Sequence, residues 1–109
     1  MAQKKLPKRI LNEIKEYVKI LKSEKLPIDK VILYGSFAKG KQHEWSDVDL
    51  CVVSPEFANA FKAMEYLLSK TPTVSRHPIE PIGFRSADLK DNSSSLIREI
   101  NLYGIEVAV

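Results

Sequence analysis

Two aspartates, Asp47 and Asp49, open an apolar run that reads DVDLCVVS over residues 47 to 54. Side chains alternate along a strand, so Asp47, Asp49 and Cys51 fall on one face and Val48, Leu50 and Val52 on the other. The two acids are then neighbours, with Cα atoms roughly 6.5 to 7 Å apart. Like charges that close raise each other's pKa unless a cation neutralises them. Carboxylate oxygens are hard ligands of the kind that hold Mg²⁺ beside a substrate phosphate. A pair at a strand end can serve two metals about 3.5 to 4 Å apart in a phosphoryl displacement. Taken alone, the pair reads more readily as two solvated acids on an edge strand.

Ten residues separate Asp47 from Gly35-Ser36, which ends an earlier apolar run, KVILYG. Ser36 is expected to open a short helical turn through Phe37 and Ala38. Backbone N–H groups at such a turn, beside a residue small enough for close approach, form an anion site. Ser36 adds a hydroxyl, although the same residue also serves as a simple helix cap. A phosphate cradle followed by an acid pair has a mechanism that neither half has alone, because metal and amides can share one polyphosphate.

The elements that must hold these residues follow from periodicity. Residues 7 to 23 carry Ile10, Leu11, Ile14, Tyr17, Val18 and Leu21 at helical spacing, with Pro7 in the first turn. Pro27 pushes Leu26 out of the helical region. Residues 30 to 35 and 47 to 54 read as strands. Ser54-Pro55-Glu56 resembles a helix start, and Phe57, Ala60, Phe61, Met64, Leu67 and Leu68 are expected to form its core-facing stripe. Residues 76 to 84, RHPIEPIGF, read as a third extended segment, which Pro78 and Pro81 make an interrupted or edge strand. DNSSS caps a last helix with Leu96, Ile97, Ile100 and Tyr103, closed by Gly104 in the C′ role. IEVAV is a final short edge strand. The expected fold is therefore mixed α/β (α+β), a small mixed sheet packed by helices, in one domain spanning 1–109.

Composition excludes several classes. The chain has 109 residues, 44% hydrophobic and 28% charged, which is neither disordered nor fibrous. A single cysteine, Cys51, allows no internal disulfide and favours a reducing cytoplasm. No apolar run reaches the roughly 18 residues of a membrane span, and the basic N-terminus lacks the apolar stretch of a secretory signal. A net charge of +3 is too modest to argue for nucleic acid. Its distribution is uneven: residues 1 to 30 hold nine Lys/Arg against four acids, whereas 42 to 61 hold Glu44, Asp47, Asp49 and Glu56 and no Lys or Arg. The basic arm reads as a solvated helix face or as a contact for an acidic partner.

An apolar strand, Gly35-Ser36, ten residues and then Asp47-Val48-Asp49-Leu50 resembles the signature of the DNA polymerase β superfamily of nucleotidyltransferases. The string GSFAKG…SDVDL resembles, more narrowly, the minimal nucleotidyltransferases of prokaryotes. The likeness is specific over residues 31 to 53 and extends to element order over most of the chain. It implies a polymerase β-like fold, Mg²⁺ or Mn²⁺, and ATP as substrate. Asp47 and Asp49 would hold the metal, while Gly35, Ser36 and Lys39 would bind the phosphates. It also implies a third carboxylate on a later strand, for which Glu80 is the best match. Glu80 would be ligand or base, held extended by Pro81, with a surface acid between two prolines as the alternative. Glutamate stands where aspartate is commoner, and Lys39 where many relatives have arginine, so charge is kept but bidentate geometry is lost.

The resemblance further implies transfer of AMP to a hydroxyl of a partner protein, with the chain acting as antitoxin to a HEPN-domain toxin. The alternative is an antitoxin that keeps the fold and neutralises its partner by binding alone. A nucleic-acid-binding domain using the basic arm is a third option, and homo-oligomerisation is left open. Among other residues, His43 and His77 are solvated or near the site, Trp45 stacks a base or anchors the loop, and Arg76 and Arg85 meet phosphates or solvent. Cys51 is expected to be buried packing. No Walker-type loop, zinc spacing or serine triad is present.

Overall fold

The computed structural model describes residues 6–42, 46–72 and 77–109; His43, Trp45 and Arg76 lie outside the described residues. The chain forms helix α1 (Lys8–Ser23), strand β1 (Lys30–Tyr34), helix α2 (Ser36–Lys39), strand β2 (Val48–Val53), helix α3 (Ala60–Ser69), strand β3 (Ile79–Phe84), a 3-10 helix (Ser86–Lys90), helix α4 (Ser95–Tyr103) and strand β4 (Ile105–Val107). The four strands make one sheet in the order β3-β2-β1-β4. β1 runs antiparallel to both β2 and β4, and β2 runs parallel to β3. A parallel pair cannot be joined by a tight turn, and α3 makes the crossover between β2 and β3. Among the described residues no helix is long and apolar enough to cross a membrane.

Strand alternation divides the apolar residues between two clusters. Val31 and Leu33 of β1 and Val48, Leu50 and Val52 of β2 pack with Ile10, Ile14, Tyr17 and Leu21 of α1 and Ala63 and Leu67 of α3. The Tyr17 hydroxyl donates to Leu67 O at 2.7 Å, tying α1 to α3 inside that core. On the other face Ile32, Tyr34, Cys51 and Val53 pack with Ile100 of α4. The aspartate face of β2 is thus apolar along most of its length, and only its Asp49 end carries charge.

α1 ends where expected, but by its own device. Lys25 turns left-handed (φ 64°), and Leu26 N–H bonds back to Leu21 O at 3.3 Å, which satisfies an orphan carbonyl. Two expectations are corrected. Ser54-Pro55-Glu56 forms a turn rather than a helix start: Ser54 Oγ accepts from Glu56 N at 3.2 Å. α3 begins at Ala60 under an Asn59 cap that accepts from Lys62 N at 3.0 Å. Phe57, held in the core at 6% exposure, pins the intervening chain and delays the helix. The buried face of α3 is then Ala63 and Leu67, while Phe61 and Leu68 are exposed at 65% and 46%. Likewise, α4 buries Ile97 and Ile100 and leaves Leu96 and Tyr103 exposed.

Gly104 does end α4, yet not through a positive φ (φ −64°, ψ 144°). A Cβ there would meet Ile100 O and stand 2.5 Å from Ile32 Cγ2, so close approach to β1 requires glycine.

Candidate active site

The strand register lines up three candidate side chains. Tyr34, the last residue of β1, is paired with Asp49, and Asp49 is paired with Glu80 on β3. The three therefore form one row across neighbouring strands about 4.8 Å apart, on the face that carries Cys51 further along. Asp47 stands one residue before β2. The neighbouring Val48 N–H donates to Pro78 O at 2.8 Å, which starts the parallel ladder and brings Asp47 alongside β3. The side chains of Asp47 and Glu80 are hydrogen-bonded.

Gly35 makes this closeness feasible. Its φ of 75° and ψ of −152° suit glycine, and a Cβ there would fall on Asp49 Oδ2 and 2.9 Å from its Cγ. The chain then enters α2, whose first-turn N–H groups have no acceptor within the helix. Gly40 closes α2 in the left-handed conformation (φ 69°).

The electrostatics are those of crowded acids. Burial, followed by the charges of Asp47 and Glu99, raises the pKa of Asp49. The hydrogen bond with Asp47 raises that of Glu80, helped by desolvation and by the charges of Asp47 and Asp49. Every neighbour acting on these two groups pushes in the same direction. Tyr34 is also raised, first by burial and then by Asp49. Among the described residues no three His, Cys, Asp or Glu side chains already stand in a metal-holding group: Asp49 lies against Gly35, whereas Asp47 and Glu80 hold each other. The donor set nonetheless fits a hard divalent cation. It consists of carboxylate oxygens whose mutual repulsion such an ion relieves.

Lys39 is brought to the site's edge but engages α4: its Nζ lies 3.4 Å from Glu99 Oε1 and 4.9 Å from the centre of the Tyr103 ring. His77 holds Ser46, next to Asp47. Its Nδ1–H donates to Ser46 O at 2.8 Å, and its ring meets Phe37 edge-on at 5.4 Å. Arg85 follows the far end of β3 from Glu80 and pairs with Asp88 at 3.7 Å. Cys51 is fully buried with its thiol pushed up to about 12, so it is packing. Tyr34, Glu99 and Tyr103 are the site residues that sequence reasoning passed over. Alternation counted back from Gly35 could have found Tyr34. Glu99 lies fifty residues from Asp49 and carries no local signal.

Comparison with known proteins places the chain in a family. The family model for a nucleotidyltransferase domain matches residues 14–103. A "putative protein adenylyltransferase" of Methanocaldococcus jannaschii is 30% identical over 100 residues, covering 90% of this chain and 95% of its own length. A second protein of that description from the same organism is 38% identical over 68 residues, 54% of this chain and 67% of its own. Among solved structures, a "putative nucleotidyltransferase" from Sulfolobus solfataricus superposes with a TM-score of 0.63 at 23% identity, over 90% of this chain and 78% of its own. A toxin-antitoxin structure with AMP-PNP gives 0.58 at 20% identity, over 90% and 72%. These two likenesses are of fold. With the family match spanning most of the sequence, the chain belongs to the nucleotidyltransferase domain family.

Proposed function

We propose that this nucleotidyltransferase, a single domain over residues 1–109, transfers AMP from ATP to a hydroxyl of a partner protein, and that it acts in the cytoplasm as the antitoxin of a HEPN-type toxin. The observation that carries the proposal is the convergence of Asp47, Asp49 and Glu80 beside the Gly35 turn. The names of the Methanocaldococcus relatives support protein as the acceptor, and the toxin-antitoxin neighbour with AMP-PNP supports the antitoxin role and the adenine nucleotide. The unpaired Cys51 supports the compartment.

In this scheme Asp47, Asp49 and Glu80 would hold Mg²⁺ or Mn²⁺, which would neutralise charge on the phosphates. The chain's own residues do the rest. Ser36 and the first-turn amides of α2 bind the outer phosphates, with Lys39 at their margin. Glu80 takes the proton of the acceptor hydroxyl as general base. The hydroxyl oxygen bonds to the α-phosphorus and pyrophosphate leaves. Catalysis is positioning plus charge neutralisation, with no covalent enzyme intermediate.

One observation favours a binding-only antitoxin: among the described residues the three acids do not yet form one metal-holding group. Incubation with Mg²⁺ and labelled ATP, with and without the protein of the adjacent gene, decides between the two. Mass spectrometry of both proteins should find an AMP adduct on the partner that Asp47→Ala/Asp49→Ala abolishes. If the double variant and wild type both leave the partner unmodified yet still suppress it, binding alone is the function.

A further inference from the structure

The contact between Lys39 and α4 is not accounted for by the transfer scheme. Glu99 and Tyr103 are four residues apart, so they lie on one face of α4, and both engage the same ammonium group of α2, at 3.4 Å and at 4.9 Å. A hollow of about 270 Å³, lined by Ala38, Lys39, Lys41 and Tyr103, opens between the two helices. One carboxylate outside the acid trio thus holds a cation beside the α2 turn.

We infer that Glu99 is a latch on Lys39, and that a bound nucleoside triphosphate must displace it to recruit the lysine. The inference rests on the proposed nucleotide site. Glu99 and a polyphosphate compete for the same ammonium, which the carboxylate holds toward α4. The ion pair is weak enough to exchange: its side chains are 30% and 35% exposed, and pairs of that kind contribute about 0–1 kcal/mol. A triphosphate brings more negative charge to Lys39 than one carboxylate does, so nucleotide wins the competition at a cost set by the latch. Tyr103 remains beneath the ammonium in either state, because a cation–π contact does not consume its hydrogen-bond donors. Glu99 is therefore a positioning residue that sets nucleotide affinity through Lys39.

The test is the dissociation constant of ATP in Mg²⁺, measured by calorimetry on the intact chain. Wild type is compared with Glu99→Gln, Lys39→Met, the double variant, and Glu65→Gln as an equal change of net charge on the exposed side of α3. Glu99→Gln should tighten ATP binding about two- to fivefold, the factor that corresponds to such a pair. The gain should vanish in the Lys39→Met background and be absent in Glu65→Gln. Unchanged or weaker binding in Glu99→Gln overturns the latch. Tightening that persists without Lys39 overturns it too, since Glu99 would then act by direct repulsion. Equal tightening in Glu65→Gln would make the effect one of net charge and refute it as well. If wild type binds no ATP while its thermal unfolding is cooperative, the nucleotide site itself falls, and the latch with it. All five proteins are to be matched by melting temperature, which a purely structural role for Glu99 would shift without moving affinity.

Discussion

Replacing Gly35 with alanine isolates the contact on which the site depends. Two costs follow from the structure. The backbone at φ 75° and ψ −152° lies close to a region populated essentially by glycine, and holding another residue there costs about 1–3 kcal/mol. The new methyl would also fall on Asp49 Oδ2 and lie 2.9 Å from its Cγ and 3.1 Å from its Cβ, so the carboxylate must turn away. For a domain near 100 residues the first cost lowers the melting temperature by roughly 4–8 °C per kcal/mol. The second displaces a group whose misplacement by about 1 Å is enough to lose on the order of 10²-fold in rate. Gly104→Ala is the matched control. Its methyl would crowd Ile100 O and Ile32 Cγ2, an overpacking cost of about 1–3 kcal/mol, but at the α4–β1 junction away from the acids. Circular dichroism melts and AMP transfer to the partner would be measured on both variants. Both should melt lower, and only Gly35→Ala should lose transfer, by about 100-fold or more. If Gly35→Ala transfers AMP as fast as Gly104→Ala, Gly35 is not there to make room for Asp49.

Other consequences can be checked directly. Asp49 and Glu80 have folded-state pKa values raised above their ordinary ones, so the folded protein binds more protons than the unfolded chain between the two values. Their contribution to stability is therefore greatest below the ordinary carboxylate pKa near 4 and is lost as pH rises through the raised values. Glu80→Gln should accordingly melt higher than wild type at pH 7, with the difference shrinking toward pH 4; equal melting temperatures at pH 7 would mean that the acids do not strain the fold. Tyr17→Phe removes the bond to Leu67 O in the core and should cost about 1–2 kcal/mol in urea denaturation, with transfer unchanged. A larger loss of transfer than of stability would show that the α1–α3 junction reaches the site.

The legible parts of the fold were those written in local pattern. Alternation in VDLCVV assigned Val48, Leu50 and Val52 to the main core and Asp49 to the opposite face, as found. KVILYG gave β1 and its terminal turn, and Ser36–Lys39 does form a short helix. The start and face of α3 were not legible, because the stripe beginning at Phe57 mixes a residue buried from the loop with others that solvent reaches. Helical spacing alone cannot distinguish the two, since only the packing of Phe57 beside Gly83 fixes where the helix begins.

The sequence by itself determined the candidate groups at one end of the sheet: an acid pair spaced by two after a Gly-Ser turn, and a later glutamate held extended by proline. Local rules suffice there, because strand alternation and glycine's freedom act within a few residues. Only the tertiary structure decided which of these groups meet. Parallel pairing of β2 with β3 sets Asp49 beside Glu80, and the same ladder lets Asp47 and Glu80 share a hydrogen bond. It also delivered Tyr34, Glu99 and Tyr103, and with them a lysine tied to α4 rather than free beside the α2 turn. Register and helix docking are set by burying two apolar faces at once, a constraint on the whole chain that no short window contains.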